Sequence, residues 1–245
     1  MVIDGAMGTS LYETGVRHDK CFEELNVSKP DSVRKIHEGF VQAGADALET
    51  NTFGANRYRL QPHGLQDRVE EFNRRGVELA REAAGDAGVF VLGAVGPTGL
   101  LPHTITADER AGIRACFLEQ CRALCGAGVD ALIIETFHQS EELALAVAAA
   151  LEASAGAVPV VGMVSFDERG TTSDGKRPER MVAMLDEWGV DAVGVNCATG
   201  PAGVYEMATR MLSRGLPVVA IPNAGMPQQQ DGRLFYMATP EYFQM

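Results

Sequence analysis

The chain has 245 residues, 46% hydrophobic, 7% aromatic and 22% charged, an ordinary composition for one soluble globular domain with a sizeable core. Its 33 acidic against 21 basic side chains leave a formal net charge of -12, a field that repels phosphate backbones and argues against nucleic acid as a partner. No apolar run approaches the roughly 18 residues of a membrane span, so no membrane partner is expected. The start, Met1-Val2-Ile3-Asp4-Gly5, has neither the basic nor the apolar part of a signal peptide. The odd count of 5 cysteines argues against a disulfide framework and predicts a reducing cytoplasm.

In chain order the hydrophobic pattern predicts strands over 2–4, 47–51, 89–95, 131–135, 158–165, 192–196 and 218–222. Helices are predicted between them over 31–43, 68–84, 109–125, 141–153, 179–188 and 203–214, with Ser140-Glu141-Glu142 as an N-cap followed by acids in the first turn. One motif recurs three times: Ala43-Gly44-Ala45-Asp46-Ala47-Leu48, Ala127-Gly128-Val129-Asp130-Ala131-Leu132 and Trp188-Gly189-Val190-Asp191-Ala192-Val193. Each copy reads as a helix stopped by glycine, a short turn and a buried strand. Alternation of this kind indicates βαβ units and a parallel sheet.

The pattern is that of an α/β chain forming a (β/α)8 TIM barrel, but it supplies about seven strands where eight are needed. After Pro222 the sequence runs through Gly232 and Pro240 to Glu241-Tyr242-Phe243-Gln244-Met245, which resembles the first turn of another helix. Residues 1–245 are therefore read as a single barrel domain cut before its last strand. An open doubly wound sheet is the alternative, and no strand is followed by the glycine fingerprint of a dinucleotide site.

In parallel α/β folds chemistry gathers at the carboxyl ends of the strands. Here those ends are polar: Asp4-Gly5-Ala6-Met7-Gly8-Thr9, Glu49-Thr50-Asn51, Glu135-Thr136-Phe137, Asn196-Cys197-Ala198-Thr199-Gly200 and Pro222-Asn223-Ala224-Gly225. Asn51, Glu135 and Asn196 share one offset from the repeated aspartate and are expected to ring one mouth, where a polar ligand would satisfy them. Gly5, Gly8, Gly93, Gly96, Gly200 and Gly225 are expected to let backbone approach that ligand closely. Cys197 is placed to act as a nucleophile or a metal ligand, or to be a buried inert thiol. Cys116, Cys121 and Cys125 share one helix and read as packing, and Cys21 falls in a loop. The histidines His18, His37, His63, His103 and His138 show no ligand spacing, and His138 reads as a rim residue. Gly170-Thr171-Thr172-Ser173-Asp174-Gly175-Lys176 has the spacing of a phosphate-binding loop, but Arg177 replaces the Ser or Thr that holds magnesium.

At this point the chain resembles the homocysteine S-methyltransferase family. The resemblance is carried by residues 4–9, Glu-Glu-Leu-Asn at 23–26, Glu-Thr-Asn-Thr-Phe-Gly-Ala-Asn at 49–56, and Gly-Pro-Thr-Gly at 96–99. Glu-Thr-Phe at 135–137, Gly-Val-Asn-Cys at 194–197 and Pro-Asn-Ala-Gly at 222–225 complete it. It implies an enzyme that moves a methyl group onto the thiolate of homocysteine, held by a zinc ion on three cysteines, to give methionine. By that resemblance Cys197 is one zinc ligand and Asn223 an oxygen donor when substrate is absent. Asp4 and Glu135 meet the substrate ammonium, Gly5 and Ala6 its carboxylate, and Asn196 completes the substrate site. The family's other two zinc cysteines lie in a Gly-Gly-Cys-Cys-Gly-Thr segment, which this sequence does not contain. A relative that has lost the zinc site is thus the alternative to an active enzyme, and a corrinoid- or pterin-binding barrel is a third reading that Gly-Val-Asn-Cys argues against. The methyl donor is open. The start and the stretch 53–60 resemble the members that use methyltetrahydrofolate through cobalamin. An incomplete barrel also predicts self-association through open sheet edges.

Overall fold

The computed structural model describes residues 1–17, 19–100, 105–197, 200–225, 228–230, 233–235 and 238–243. Among these, six parallel strands form one sheet in simple sequence order: β1 Ala47–Glu49, β2 Phe90–Val95, β3 Ala131–Phe137, β4 Val160–Val164, β5 Ala192–Asn196 and β6 Val218–Ile221. Each strand pairs with its successor, with no point at which the order reverses. A doubly wound sheet requires such a reversal, so the sheet is the curled wall of a (β/α)8 barrel.

The predicted first strand is a correction. Residues 2–4 contribute one parallel bridge, Ile3 to Ala47, because the chain turns into helix α1, Met7–Glu13, at once. The other helices are α2 Leu25–Ser28, α3 Pro30–Gln42, α4 Arg57–Leu60, α5 Val69–Ala84, α6 Ala107–Ala127, α7 Ser140–Ser154, α8 Pro178–Trp188 and α9 Pro201–Met211. The bounds of α3 and α5–α9 fall within a few residues of the periodicity, α2 and α4 were not predicted, and α3, α8 and α9 each open on a proline, whose missing N–H is no loss there. The expected turn near the end is α10, Pro240–Phe243. An antiparallel pair, β7 Gln228–Gln230 with β8 Arg233–Phe235, was not expected from the sequence. Gly232, Gln244 and Met245 lie outside the described residues.

The threefold motif has a physical cause. Gly44, Gly128 and Gly189 all adopt positive φ, near 94°, 87° and 85°, which ends α3, α6 and α8 at little steric cost. The aspartate two residues on then takes the backbone N–H at the start of the preceding strand: Asp46 from Val2 at 2.7 Å, Asp130 from Val91 at 2.7 Å, Asp191 from Val160 at 2.8 Å. The N–H of each aspartate returns a bond to the carbonyl of the same residue, at 2.8, 2.8 and 2.9 Å. The motif is a clamp that fixes the register of two strands at their amino ends.

Alternation along the strands separates two packing layers. Val91, Val95, Leu132, Ile134, Val193 and Val195 face the helices in the main core. Ala47, Leu92, Ala94, Ile133 and Met163 fill the barrel interior. The same period of two carries Glu49, Glu135 and Asn196 inward at the strand ends. No helix among the described residues is long and apolar enough to cross a membrane.

Candidate active site at the carboxyl ends of the strands

A cavity of about 910 Å³ opens at that end, and Asp4, Glu49, Glu135, Asn196, Cys197 and Asn223 all line it, as do Gly5 and Ala6. A second hollow of about 1070 Å³ lies on the outer wall among Arg57, Glu70, Arg74, Glu119 and Arg122, away from the strand ends. The polar strand ends thus converge as the sequence predicts.

Glu135 is the centre of the arrangement. The β3–β4 register shifts between Ile134 and Phe137, a bulge that re-aims Glu135 and Thr136. Asn196 donates through Nδ2 to Glu135 Oε2 and to Thr136 Oγ1, both at 2.8 Å, while its Oδ1 accepts from the Thr136 N–H at 3.0 Å. Ser165 Oγ donates to the Asn196 carbonyl at 2.7 Å. The Asn196 amide is therefore spent on neighbours, and it presents a carboxylate to the cavity. Burial pushes the Glu135 carboxyl up to about 7; Thr136 opposes the shift, the Asp4 charge adds to it, and Asn196 opposes it.

Backbone strain marks the same place. Thr136 and Cys197 hold φ of 64° and 56°, the left-handed region that β-branched residues avoid. Their side chains meet, Thr136 Oγ1 to Cys197 Sγ at 3.7 Å. Burial, then Glu135, push the Cys197 thiol up to about 11, with Thr136 opposing and Glu49 adding. As it stands Cys197 is a neutral thiol, which argues against the free-nucleophile reading.

Asp4 comes from the segment after the single bridge. Its Oδ1 accepts from the Glu49 N–H at 2.9 Å, and its Oδ2 faces His37 Nδ1 at 3.9 Å. Burial raises its carboxyl pKa, and the His37 and Glu49 contacts oppose that. Glu49 is the carboxylate that the offset argument missed. Burial and the charges of Glu135 and Asp4 raise its pKa well above the usual range, and its Oε1 is buried without a hydrogen-bond partner. Asn51 lines the same cavity as Glu135 and Asn196, as the shared offset predicts, although β1 stops at Glu49. Asn51 Nδ2 turns to Phe22 O at 2.8 Å and Asn26 Oδ1 at 2.9 Å, which ties the 23–26 and 49–56 motifs together. Glu23 does the same by accepting from the Gly54 N–H at 2.7 Å.

The glycines divide. A Cβ on Gly96 would lie 2.5 Å from the Phe53 ring, and one on Gly200 3.2 Å from the Gly225 Cα, so both allow close approach at the mouth. Gly93 does not serve a ligand; Leu124, Val129 and Leu132 crowd its missing Cβ at 3.2 Å. The phosphate-loop spacing is a structural turn: Asp174 accepts from Ser140 Oγ at 2.5 Å and Thr172 Oγ1 at 2.6 Å and pairs with Lys176. Ser140 is correspondingly the first residue of α7 and not its cap, which is Gln139. Cys116 and Cys121 are buried in α6 as expected, whereas Cys21 lines the cavity with its thiol on Glu23 Oε2 at 3.3 Å. His138 is exposed and His63 also lines the mouth. His18, His103, Ala198 and Thr199 lie outside the described residues.

For a metal the donors fall short. Cys197 and Asn223 leave the ends of adjacent strands, but among the described residues no group of three His, Cys, Asp or Glu side chains gathers to hold an ion. Catalytic zinc takes three protein ligands and keeps one position open. One thiol and one amide do not fit it.

The family profile described as homocysteine S-methyltransferase matches residues 1–245. The chain is 37% identical over 243 residues to methionine synthase of Mycobacterium tuberculosis and 34% over 242 residues to that of Mycobacterium leprae. Each alignment covers 93% of this chain but 20% of the relative, so the chain spans about a fifth of the length of these curated proteins. Among solved structures, the metallated form of the homocysteine methyltransferase MmuM from Escherichia coli superposes with a TM-score of 0.80 at 25% identity, covering 92% of this chain and 84% of that one. Its oxidized form gives 0.77 at 26% identity, covering 91% and 82%.

Proposed function

The chain belongs to the homocysteine S-methyltransferase family, and from that premise we propose that its mouth binds homocysteine for methyl transfer to the sulfur. The observation that carries this reading is the convergence of Asp4, Glu135 and Cys197 on one cavity. Two buried carboxyls to which, among the described residues, no lysine or arginine is bonded are suited to an ammonium group. Gly5 and Ala6, on the same wall, offer backbone N–H groups to the substrate carboxylate. Asn196 holds Glu135 in place, and Cys197 lies where the thiol end of the substrate would reach.

Zinc is the metal expected to make that substrate thiol a thiolate, and Cys197 is the thiol that the family resemblance assigns to it. The donors present among the described residues do not complete such a site. The resemblance of the start and of residues 53–60 to the folate-linked members favours methyltetrahydrofolate, acting through cobalamin, as the methyl source. A relative without a working metal site is the second reading, favoured by the incomplete donor set.

Calorimetric titration with L-homocysteine tests the amino-acid end of the site. Removing one partner from a buried charged hydrogen bond costs about 2–5 kcal/mol. Glu135→Gln and Asp4→Asn should therefore each weaken binding by well over tenfold. Equal affinity in all three proteins overturns the assignment.

A further inference from the structure

His37 lies on α3, behind the site wall, with a side chain that is 0% exposed. Among the described residues neither of its ring nitrogens has a hydrogen-bond partner. A buried imidazole with both nitrogens unpaired is costly, since one of them carries a proton in any state and burial removes the water that would accept it. Asp4 Oδ2 lies 3.9 Å from Nδ1, just beyond hydrogen-bond length. The other oxygen, Oδ1, already accepts from the Glu49 N–H. Asp4 thus has one oxygen fixed to β1 and one facing an unsatisfied donor on α3.

We propose that His37 is a positioning residue for the substrate site: its Nδ1–H closes onto Asp4 Oδ2 when the ammonium of an α-amino acid enters the mouth, locking the carboxylate toward that ligand. The inference rests on the reading of Asp4 as an ammonium-binding group. The closure needs less than an ångström of movement to reach ordinary hydrogen-bond length. It offsets the loss of Asp4 hydration and fixes a tautomer, because a proton on Nδ1 leaves Nε2 bare against the apolar surroundings.

Such a residue has a signature that a packing residue lacks. Replacing an unsatisfied buried polar group by an apolar one of similar size is neutral or stabilising, so fold and binding should move in opposite directions. His37→Leu should melt at the same temperature as the parent chain or higher, and bind L-homocysteine five- to tenfold more weakly. His37→Asn, which keeps an N–H near the Nδ1 position, should recover most of that affinity. In ¹H–¹⁵N spectra of the parent chain the His37 ring should show the Nδ1–H tautomer, with the Nδ1 resonance moving on addition of homocysteine and no movement in Asp4→Asn. A ring in the Nε2–H form, or His37→Leu binding as tightly as the parent, overturns the proposal while leaving the substrate reading intact. Parallel loss of melting temperature and affinity in His37→Leu overturns it too, as the mark of packing alone. No homocysteine binding by the parent chain overturns the substrate reading, and this proposal with it.

Discussion

Glu135 sits in a buried triangle with Asn196 and Thr136, and its stability there depends on the amide. Thr136 Oγ1 also donates to it, at 3.4 Å. Asn196→Ala leaves a buried carboxyl short of its best donor, which costs about 1–3 kcal/mol. Urea denaturation should show that loss, and homocysteine affinity should fall about tenfold because Glu135 is no longer aimed. Asn196→Asp should be worse, since it sets a second carboxylate at hydrogen-bond distance from the first. A variant that unfolds at the parent's midpoint would show that the triangle contributes nothing. Glu135, Asn196 and Cys197 were legible in the sequence because each closes a strand-like run after a repeated aspartate. Glu49 was legible only as part of the polar end Glu49-Thr50-Asn51, because counting from the aspartate selects Asn51, two residues past the end of β1. The strain at Thr136 and Cys197 left no trace in composition or spacing; two ordinary residues adopt a glycine conformation at the ends of β3 and β5, where their side chains meet.

At the scale of elements, the aspartate clamps make a sharp expectation. Asp191 is bonded to Val160 through both its carboxylate and its N–H. Asp191→Ala strands the Val160 N–H at the start of β4, and thermal unfolding should report a loss of about 1–2 kcal/mol, whereas Asp191→Asn, which keeps an acceptor, should lose less. Asp174 gives a pH dependence. Burial opposes its charged form, but hydrogen bonds from Lys176, Ser140 and Thr172 outweigh it and hold the carboxyl at about 2. The folded value lies below the unfolded value near 3.9, so the ionised form stabilises the fold above about pH 4 and the contribution disappears as pH falls toward 2. Asp174→Asn should lower the melting temperature at pH 7 by about 2–4 °C, the equivalent of a lost helix cap on the order of 1 kcal/mol. The gap from the parent should close between pH 4 and 2; a gap that persists at pH 2 refutes the linkage. The long helices were readable because each carries an apolar face at helical spacing, as α5 does with Phe72, Val77, Leu79 and Ala80 buried. Helix α1 escaped because it buries Leu11 alone, and the β7–β8 pair escaped because a run of glutamines carries no strand pattern.

For the whole molecule the repeated helix–strand alternation was enough to identify barrel architecture, and the shortfall in strands was legible too. The sheet shows its consequence. Strands β2 to β5 are almost wholly buried, while β6 is half-buried and Ala220 exposed, and at the opposite edge Val2 is 63% exposed beside β1. Unpaired edges of this kind invite another chain. A polypeptide of these 245 residues should therefore self-associate, with a light-scattering mass that rises with concentration; a constant monomer mass with one cooperative melt would show that the edges are closed. The same incompleteness governs the metal. Of the family's zinc donors the mouth offers the Cys197 thiol and one neutral amide oxygen on Asn223. Asp4 is bonded to β1 and Glu135 to Asn196, and Cys21 is engaged with Glu23. Two donors, one of them weak, do not compensate for stripping water from zinc and deprotonating a buried thiol. After purification in the presence of zinc and dialysis, elemental analysis should find well under one zinc per chain, and methyl transfer to homocysteine should be absent. A longer polypeptide that carries the family's Gly-Gly-Cys-Cys-Gly-Thr segment should recover both, and Cys197→Ala in that protein should abolish both. One tightly held zinc in the 245-residue chain would refute this account and make Cys21, the second thiol lining the mouth, the first ligand to test.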